Sequence, residues 1–522
     1  MNKPLFLRSN YLYVFGLIVL VTGLPLSLFL ISIAQFILAG SFFLEGNPAE
    51  KFKRFINNKA ALLVAGIWLM HVTGLIWTTN LSQGWNDIRI KLPLLILTVI
   101  MAGTEPLSRK QFFIVLNALI GAVVIGTIVS MAVLTGVIER EVIDIRDIFI
   151  FKISHIRFGL FTCIAIFSLL YFTLSKNISL NRTYRILAGF IALWLLIFLF
   201  LVEALTGFII TLTIVFLILI YSAWKKMQTA GRLALVAVSV AIPLIVFFIF
   251  NNVYEKIYTP HHEPIDLNAR TLQGNPYKFQ LNHNEMENGY LVYIYMCDDE
   301  LRRTWNRRSD IDLDSLGKKY QPLKSTLIRF LASKGLRKDS VGVQQLTDEE
   351  IHSIERGVPN VHYQTPSIKV RLLQVMWEFN HYSKGGDPNG HSVMQRLESW
   401  KAALGVIQSH PLLGVGTGDL PKQVFNQYQI MNSKLNGNHY LRPHNQYLAI
   451  AVAFGIAGLC YFLFAICYPL FFLKNRNYFY LVFFMTLAIS MLTEDTLETQ
   501  PGATFFAFFN ALFLFARPTN NK

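Results

Sequence analysis

Charge is what this sequence has least of. Only 15% of its 522 residues are charged, 53% are hydrophobic, and the mean hydropathy is +0.42. A soluble protein carries about a quarter charged residues, so the shortage excludes a soluble enzyme and predicts a polytopic membrane protein. Cysteine is scarce as well. The four present are Cys163, Cys297, Cys460 and Cys467; three lie inside apolar runs and no CxxC pair occurs. Neither a disulfide framework nor a zinc site is therefore indicated. No DxD-type acidic pair stands near residues 396–458, and no internal repeat is evident. Lys3 and Arg8 precede the first apolar run without a small-residue cleavage site, which predicts a retained first helix.

The charge that is present sums to +15, a value that could suggest a nucleic-acid partner. Its distribution argues otherwise. The large polar loop from Glu255 to Arg442 holds 23 basic and 20 acidic side chains, so 24 of the 47 basic and 12 of the 32 acidic residues lie elsewhere. Most of the excess falls in short loops and tails between apolar runs, as expected of cytoplasmic loops. No nucleic-acid partner is expected.

A spanning helix needs about 20 mainly apolar residues, and the runs predict about twelve transmembrane helices. Residues 11–44 divide at Pro25 into a hairpin of two; further spans are expected near 60–77, 91–104, 112–135, 157–175, 186–203, 206–224 and 233–251. Three more follow the large loop, near 443–473, 477–493 and 500–516. Basic turns at Lys51, Lys53, Arg54 and Lys59, at Lys176, Arg182 and Arg185, at Lys225, Lys226 and Arg232, and at Lys474 and Arg476 then share one face with the tails. The expected domains are 1–251 (spans 1–9), a loop domain at 252–442 on the outer side, and 443–522 (spans 10–12). The loop has aromatic residues, helical periodicity and turn signals, so a folded, mostly helical cap is expected there. Within it, Val393, Leu397, Trp400, Leu404 and Ile407 follow Ser392 at helical spacing, predicting a helix that buries this face and ends at Ser409-His410-Pro411. Gly414, Gly416 and Gly418 form a turn, and Asp419 is the expected N-cap of the next helix.

The most informative stretch runs from Arg396 to Gly458. There Arg442-Pro443-His444-Asn445 leads into an apolar segment, and nine residues later comes Gly455-Ile456-Ala457-Gly458. A titratable group thus stands at a membrane surface. The pattern His-Asn-x9-Gly-x-x-Gly at the end of a large loop resembles the O-antigen ligase family, membrane glycosyltransferases that move a finished glycan from a polyprenyl diphosphate carrier onto lipid A core. Arg396-x3-Trp400 and Pro411-Leu412-Leu413-Gly414-Val415-Gly416-Thr417-Gly418 follow the same family order. Leu301 to Asn306, Thr326 to Asp339 and Ile354 to Gly357 look like the loop of a Bacteroidetes-type branch.

The resemblance implies an all-α, GT-C-like protein of the bacterial inner membrane with a periplasmic cap. Its donor would be a glycan on undecaprenyl diphosphate, its acceptor a lipid A core sugar or another glycan, and its chemistry inverting, without metal or cofactor. His444 would be the catalytic base, since a neutral imidazole accepts a proton near neutral pH; the alternative is an interfacial residue at a helix start. Arg396 would stabilise the leaving diphosphate through its fork of donors, against the alternative of a solvated helix charge. Asn445 would cap the helix or orient the ring. Gly414 and Gly416 could offer backbone N–H groups to anionic oxygens or simply connect. Family members often carry an Arg just before the Thr-Gly of the middle spans, where this chain has Leu205, so Arg157 or Arg442 is expected to replace it. Glu203, between two apolar runs, is a further substrate-binding candidate. Glu494, Asp495 and Glu498 in the last outer turn are alternative bases but read first as solvated turn charges, and His71 reads as a packed core residue. A capsule or O-antigen polymerase shares these features. From other classes, a polysaccharide flippase would not need such a cap, and a ligand-binding sensor is a third alternative.

Overall fold

The computed structural model describes residues 10–140, 142, 148–151, 153–175, 180–202, 204–259, 264–283, 285–318, 321–364, 368–437 and 440–518. Its elements are predominantly helical. The first unit comprises residues 1–217 and 387–522, the second residues 218–386. The packing boundary therefore differs from the expected loop boundary of 252–442, because 387–442 packs with the apolar helices.

The first unit opens with α1 (Tyr11–Leu26) and α2 (Leu28–Leu44). α1 continues through Pro25, and the break falls at Ser27, which is extended and caps α2. Two buried charges close the ends of this hairpin. The Glu45 carboxylate accepts from the N–H groups of Leu12 (2.8 Å) and Tyr13 (3.2 Å), while Lys51 Nζ donates to the carbonyls of Ser41 (3.1 Å) and Phe42 (3.0 Å). Each charge thus meets orphan backbone groups at the helix end whose dipole it complements. Then come α3 (Pro48–Ile56), α4 (Lys59–Thr73), α5 (Leu81–Lys91), α6 (Pro93–Gly103), α7 (Arg109–Leu134), α8 (His155–Leu174), α9 (Arg182–Leu201) and α10 (Leu205–Lys226), within which the unit boundary falls. Asparagines open several helices: Asn47, Asn58, Asn80 and Asn181 each accept from a backbone N–H of the first turn.

Five helices are long and apolar enough to cross a membrane among the described residues, at 109–134, 155–174, 182–201, 206–225 and 446–471. A sixth is reached if α2 and α3, bent by 108°, form one broken span. α1 and α4 are apolar but shorter. The expected span at 91–104 is α6, whose 11 residues reach only about 16 Å at 1.5 Å per residue, half the hydrocarbon thickness. The apolar runs foreseen from sequence do form helices, and five or six of these are long enough to cross a membrane among the described residues.

The second unit contains α11 (Thr229–Tyr258), an antiparallel β1 (Met286–Glu287) and β2 (Tyr290–Leu291), α12 (Asp298–Trp305), α13 (Leu323–Ser333), α14 (Ser340–Gln344), α15 (Asp348–Glu355) and α16 (Ile368–Ser383). Leu301, Trp305, Leu323, Phe330, Leu331 and Ile354 make its core, so the family-like stretches of the loop are its packing residues. A buried carboxylate stitches the core to its flank: Glu300 accepts from Thr271, Asn275 and Ser340. Cys297 is buried, only 7% exposed, so it offers no native handle for surface labelling.

Leu272 does, being 88% exposed in this unit. If the unit lies outside the cell membrane, a Leu272→Cys variant is expected to react with an impermeant maleimide in intact spheroplasts. Reaction only after lysis would invert the expected topology.

Candidate functional site

The first unit returns with α17 (Ser392–Ser409), α18 (Leu420–Ile430), α19 (Gln446–Phe471), α20 (Tyr478–Ser490) and α21 (Gln500–Leu514). The site gathers around the turn between α20 and α21. Its first fastening is the start of α19, where Asn445 Oδ1 accepts from the Leu448 N–H (3.0 Å) as an N-cap and Asn445 Nδ2 donates to the Leu492 carbonyl (3.0 Å). The Gln446 N–H donates to the Met491 carbonyl (2.9 Å). Both polar atoms of Asn445 thus hold backbone beside His444.

That neighbour, His444, is held in the left-handed region at φ 44°, uncommon for a residue other than glycine and characteristic of over-determined functional positions. The constraint on the other side comes from the approach. Tyr428 Oη donates to the Leu441 carbonyl (3.1 Å) and Ser399 Oγ to the Pro443 carbonyl (3.2 Å). The imidazole is thereby presented to two carboxylates. His444 Nδ1 lies 3.9 Å from Glu494 Oε2 and 3.9 Å from Asp495 Oδ1, beyond hydrogen-bond length, so the carboxylates form an ion pair with the ring only once it carries a proton. Each carboxylate carries its own arginine. Arg396 Nη2 is 2.9 Å from Glu494 Oε1, and Arg442 Nε is 3.3 Å from Asp495 Oδ2. Arg157, at the start of α8, is within electrostatic reach of Glu494, Asp495 and Arg442. The structure thus gathers His444, Arg396, Arg442, Arg157 and Asn445 at one place. Glu203 lies outside the described residues, as does the side chain of Leu205.

The turn carboxylates are the residues that sequence reasoning set aside. Asp495 and Glu498 are 4% and 6% exposed, not solvated, and a signal was available in three acidic residues between two apolar runs. Glu498 Oε2 accepts from Lys91 Nζ (2.7 Å), its Oε1 accepts from Gln446 Nε2 (3.2 Å), and Gln446 Oε1 accepts from the Leu497 N–H (2.6 Å). Environment separates the two acids beside the ring. Burial pushes the Glu494 carboxyl up, but His444, Arg396 and Arg157 outweigh it and hold it below the ordinary value. Burial pushes Asp495 up too; Arg442 and His444 oppose this without overcoming it, and Glu498 and Glu494 reinforce it. Donor atoms of His444, Glu494 and Asp495 lie within 4.8 Å of one another, close enough to share a cation. The two arginines already compensate these carboxylates, and the arrangement reads as an imidazole flanked by two ion pairs.

The glycine pattern has a different role from the one its spacing suggests. α19 is broken at Gly455, which has φ 62° and ψ −162°, a region open essentially to glycine alone. Its interrupted backbone is completed by the 411–416 loop. The N–H groups of Val415 and Gly416 donate to the carbonyls of Val452 (3.0 Å) and Ala453 (2.9 Å), and those of Ile456 and Ala457 to Pro411 (2.8 Å) and Leu412 (3.3 Å). An added Cβ at Gly455 would overlap the Leu412 backbone and lie 2.7 Å from the Leu413 nitrogen; one at Gly414 (φ 65°) would overlap Ala453 and Phe454. Gly458 lets Phe454 fold back over its own helix. The amides of the glycine turn are therefore spent on the helix break and do not cradle an anion.

Two further expectations are corrected. α17 buries Glu398, Ser399, Ala402, Ala403 and Val406 against α18 and α19, while Leu404 of the expected face is exposed; small residues permit the close approach that the larger ones would block. Asp419 stands at the N-cap of α18 but makes no cap bond. Its carboxylate instead accepts from Thr78 Oγ1 (3.0 Å), the Thr79 N–H (2.5 Å) and Thr79 Oγ1 (2.7 Å). His71 is packed as expected, hydrogen-bonded to Ile67 and edge-on to Phe454.

A family model for O-antigen ligase matches residues 361–463. The match includes Arg396, Arg442, His444 and the helix break, and it ends before the 494–498 turn. No curated protein matches the chain.

Gly455→Ala is expected to destabilise the protein by about 3 kcal/mol or more, combining a backbone region costly for any Cβ with backbone overlap; thermal unfolding in detergent checks this. Stability should also depend on pH through the turn. The carboxyl groups of Glu494 and Glu498 are lowered from the ordinary 4.5, so their stabilisation is present above that pH and is lost as pH falls through their depressed values. The thermal midpoint is expected to drop below pH 4.5, and less steeply in Glu494→Gln/Glu498→Gln.

Proposed function

We propose, from the match of residues 361–463 to a family model for O-antigen ligase, that this membrane protein transfers a glycan en bloc from undecaprenyl diphosphate to an acceptor hydroxyl, with a lipid A core sugar as the acceptor. The observation that carries the reading is the His444 imidazole held between the Arg396–Glu494 and Arg442–Asp495 pairs. In the transfer, the acceptor O–H gives its proton to the His444 ring. The oxygen attacks the anomeric carbon, the bond from that carbon to the diphosphate oxygen breaks with inversion, and undecaprenyl diphosphate leaves with the bonding pair.

The leaving diphosphate brings about two negative charges into a partly dry site, where uncompensated charge is costly. Arg157 supplies positive charge, and Arg396 and Arg442, whose charges answer Glu494 and Asp495, add the N–H donors their forks keep beyond those pairs; Arg157 or Arg442 stands in for the family arginine absent at Leu205. Cationic side chains do here what a metal does elsewhere, so the reaction is metal-independent. In this reading the cap lies in the periplasm and the chain crosses the inner membrane about twelve times. A polymerase would use the same site with a carrier-linked glycan as acceptor. The surface polysaccharide of a deletion strain separates the two: loss of all lipid A-linked polymer marks a ligase, a single repeat on core marks a polymerase.

His444→Ala is expected to lower transfer by about 10²–10⁴-fold, the usual worth of general-base help, while the purified protein stays folded. Near-parental transfer would remove His444 from the mechanism. Arg442→Lys and Arg157→Lys are each expected to raise the requirement for lipid-linked donor, since lysine keeps charge but loses the bidentate fork; if both positions accept Ala with unchanged donor dependence, neither arginine replaces the missing one. Transfer by the parent protein is expected to survive chelation by EDTA, and its loss would overturn metal independence.

A further inference from the structure

We propose that Lys91 is a positioning residue of this site, acting through Glu498 to hold the 494–498 turn against His444. Lys91 ends α5, far in sequence from the matched segment, yet its side chain is 0% exposed and its ammonium lies 2.7 Å from Glu498 Oε2 and 3.3 Å from Asp87 Oδ2. Lysine is almost never fully buried unless paired, and a buried ion pair is a poor source of net stability because of its desolvation cost. What such a pair fixes well is geometry. Glu498 also takes Gln446 Nε2 (3.2 Å), and Arg442 Nη1 reaches the Glu498 carbonyl (3.4 Å). Gln446 in turn holds the Leu497 N–H (2.6 Å). One ammonium thereby anchors the far end of a short turn whose near end carries Glu494 and Asp495, the two carboxylates 3.9 Å from the His444 ring. Gln446 is two residues from His444, so the same anchor registers the turn against the start of α19. Lys91 and Asp87 share a helix, and their pairing gives the ammonium a second fixed partner beside Glu498.

The inference rests on the proposed transfer reaction. It predicts a loss in turnover without a loss in donor binding, because Lys91 touches the turn and not the substrate. The test compares purified Lys91→Met, Glu498→Gln and the double variant for kcat, donor KM and thermal midpoint, with His444→Ala assayed alongside. Each single variant is expected to lose about 100-fold in kcat with donor KM within about twofold of the parent, and the double to lose no more than the worse single, as for residues that act as one unit. Lys91→Met strands the carboxylates of Glu498 and Asp87 and could unfold for that reason, whereas the double variant leaves only Asp87, which keeps its hydrogen bond from Gln83 Nε2 (3.2 Å), and is the decisive one. A folded double with parental kcat, losses that multiply, or a rise in donor KM alone would each overturn the proposal. So would an unfolded double, which would make the pair a stability element. Active His444→Ala would instead overturn the transfer mechanism, so the two failures are distinguishable.

Discussion

A charge withdrawn from water has to be answered by an opposite charge or by hydrogen bonds, and the 491–499 turn imposes that condition three times within five residues. Glu494 is answered by Arg396, Asp495 by Arg442, and Glu498 by Lys91. Each cation comes from a different part of the chain: α17, the strap before α19, and α5. The turn is therefore a junction at which three elements must be correctly docked before its carboxylates can be buried. His444 faces that junction, its Nδ1 lying 3.9 Å from a carboxylate oxygen of Glu494 and 3.9 Å from one of Asp495. The same compensation that makes burial tolerable also sets the ring's electrostatic surroundings, so folding and chemistry depend on one set of ion pairs.

The second constraint is backbone rather than charge. A helix broken in an apolar environment leaves amides and carbonyls without water to satisfy them. At Gly455 the 411–416 loop supplies those partners in both directions. Only glycine fits at the crossing, for conformational reasons at Gly455 and steric ones at Gly414. The loop also connects α17, which carries Arg396, to α18, whose Tyr428 holds the carbonyl of Leu441 in the His444 strap. The glycine pattern thus acts at a distance: it fixes the frame within which arginine and imidazole meet the turn.

Much of this was legible in the sequence, and what was not has physical causes. Apolar runs are local signals, and they marked the helices well. The run near 91–104 is itself short, bounded by Pro93 and by Thr104-Glu105-Pro106, and α6 fills it without the length to span. The His-Asn pair and the two glycines were visible at fixed spacing, but spacing cannot say that Gly455 breaks the helix or that the loop amides are consumed there. The face of α17 was misjudged because periodicity finds large apolar side chains, whereas helices that approach closely select small ones. The turn acids were misread because charge in a turn ordinarily means solvent. Only the folded chain brings Lys91 within 2.7 Å of Glu498, 407 residues away.

The central claim is that the His444 imidazole, held between two arginine-paired carboxylates, takes the acceptor's proton. Chemical rescue tests it most directly, because removing the ring leaves space for a free imidazole between the same partners. Purified His444→Ala should regain transfer in proportion to added imidazole, while a variant lacking Arg396 should not. Transfer by His444→Ala at the parental rate without imidazole would contradict the account.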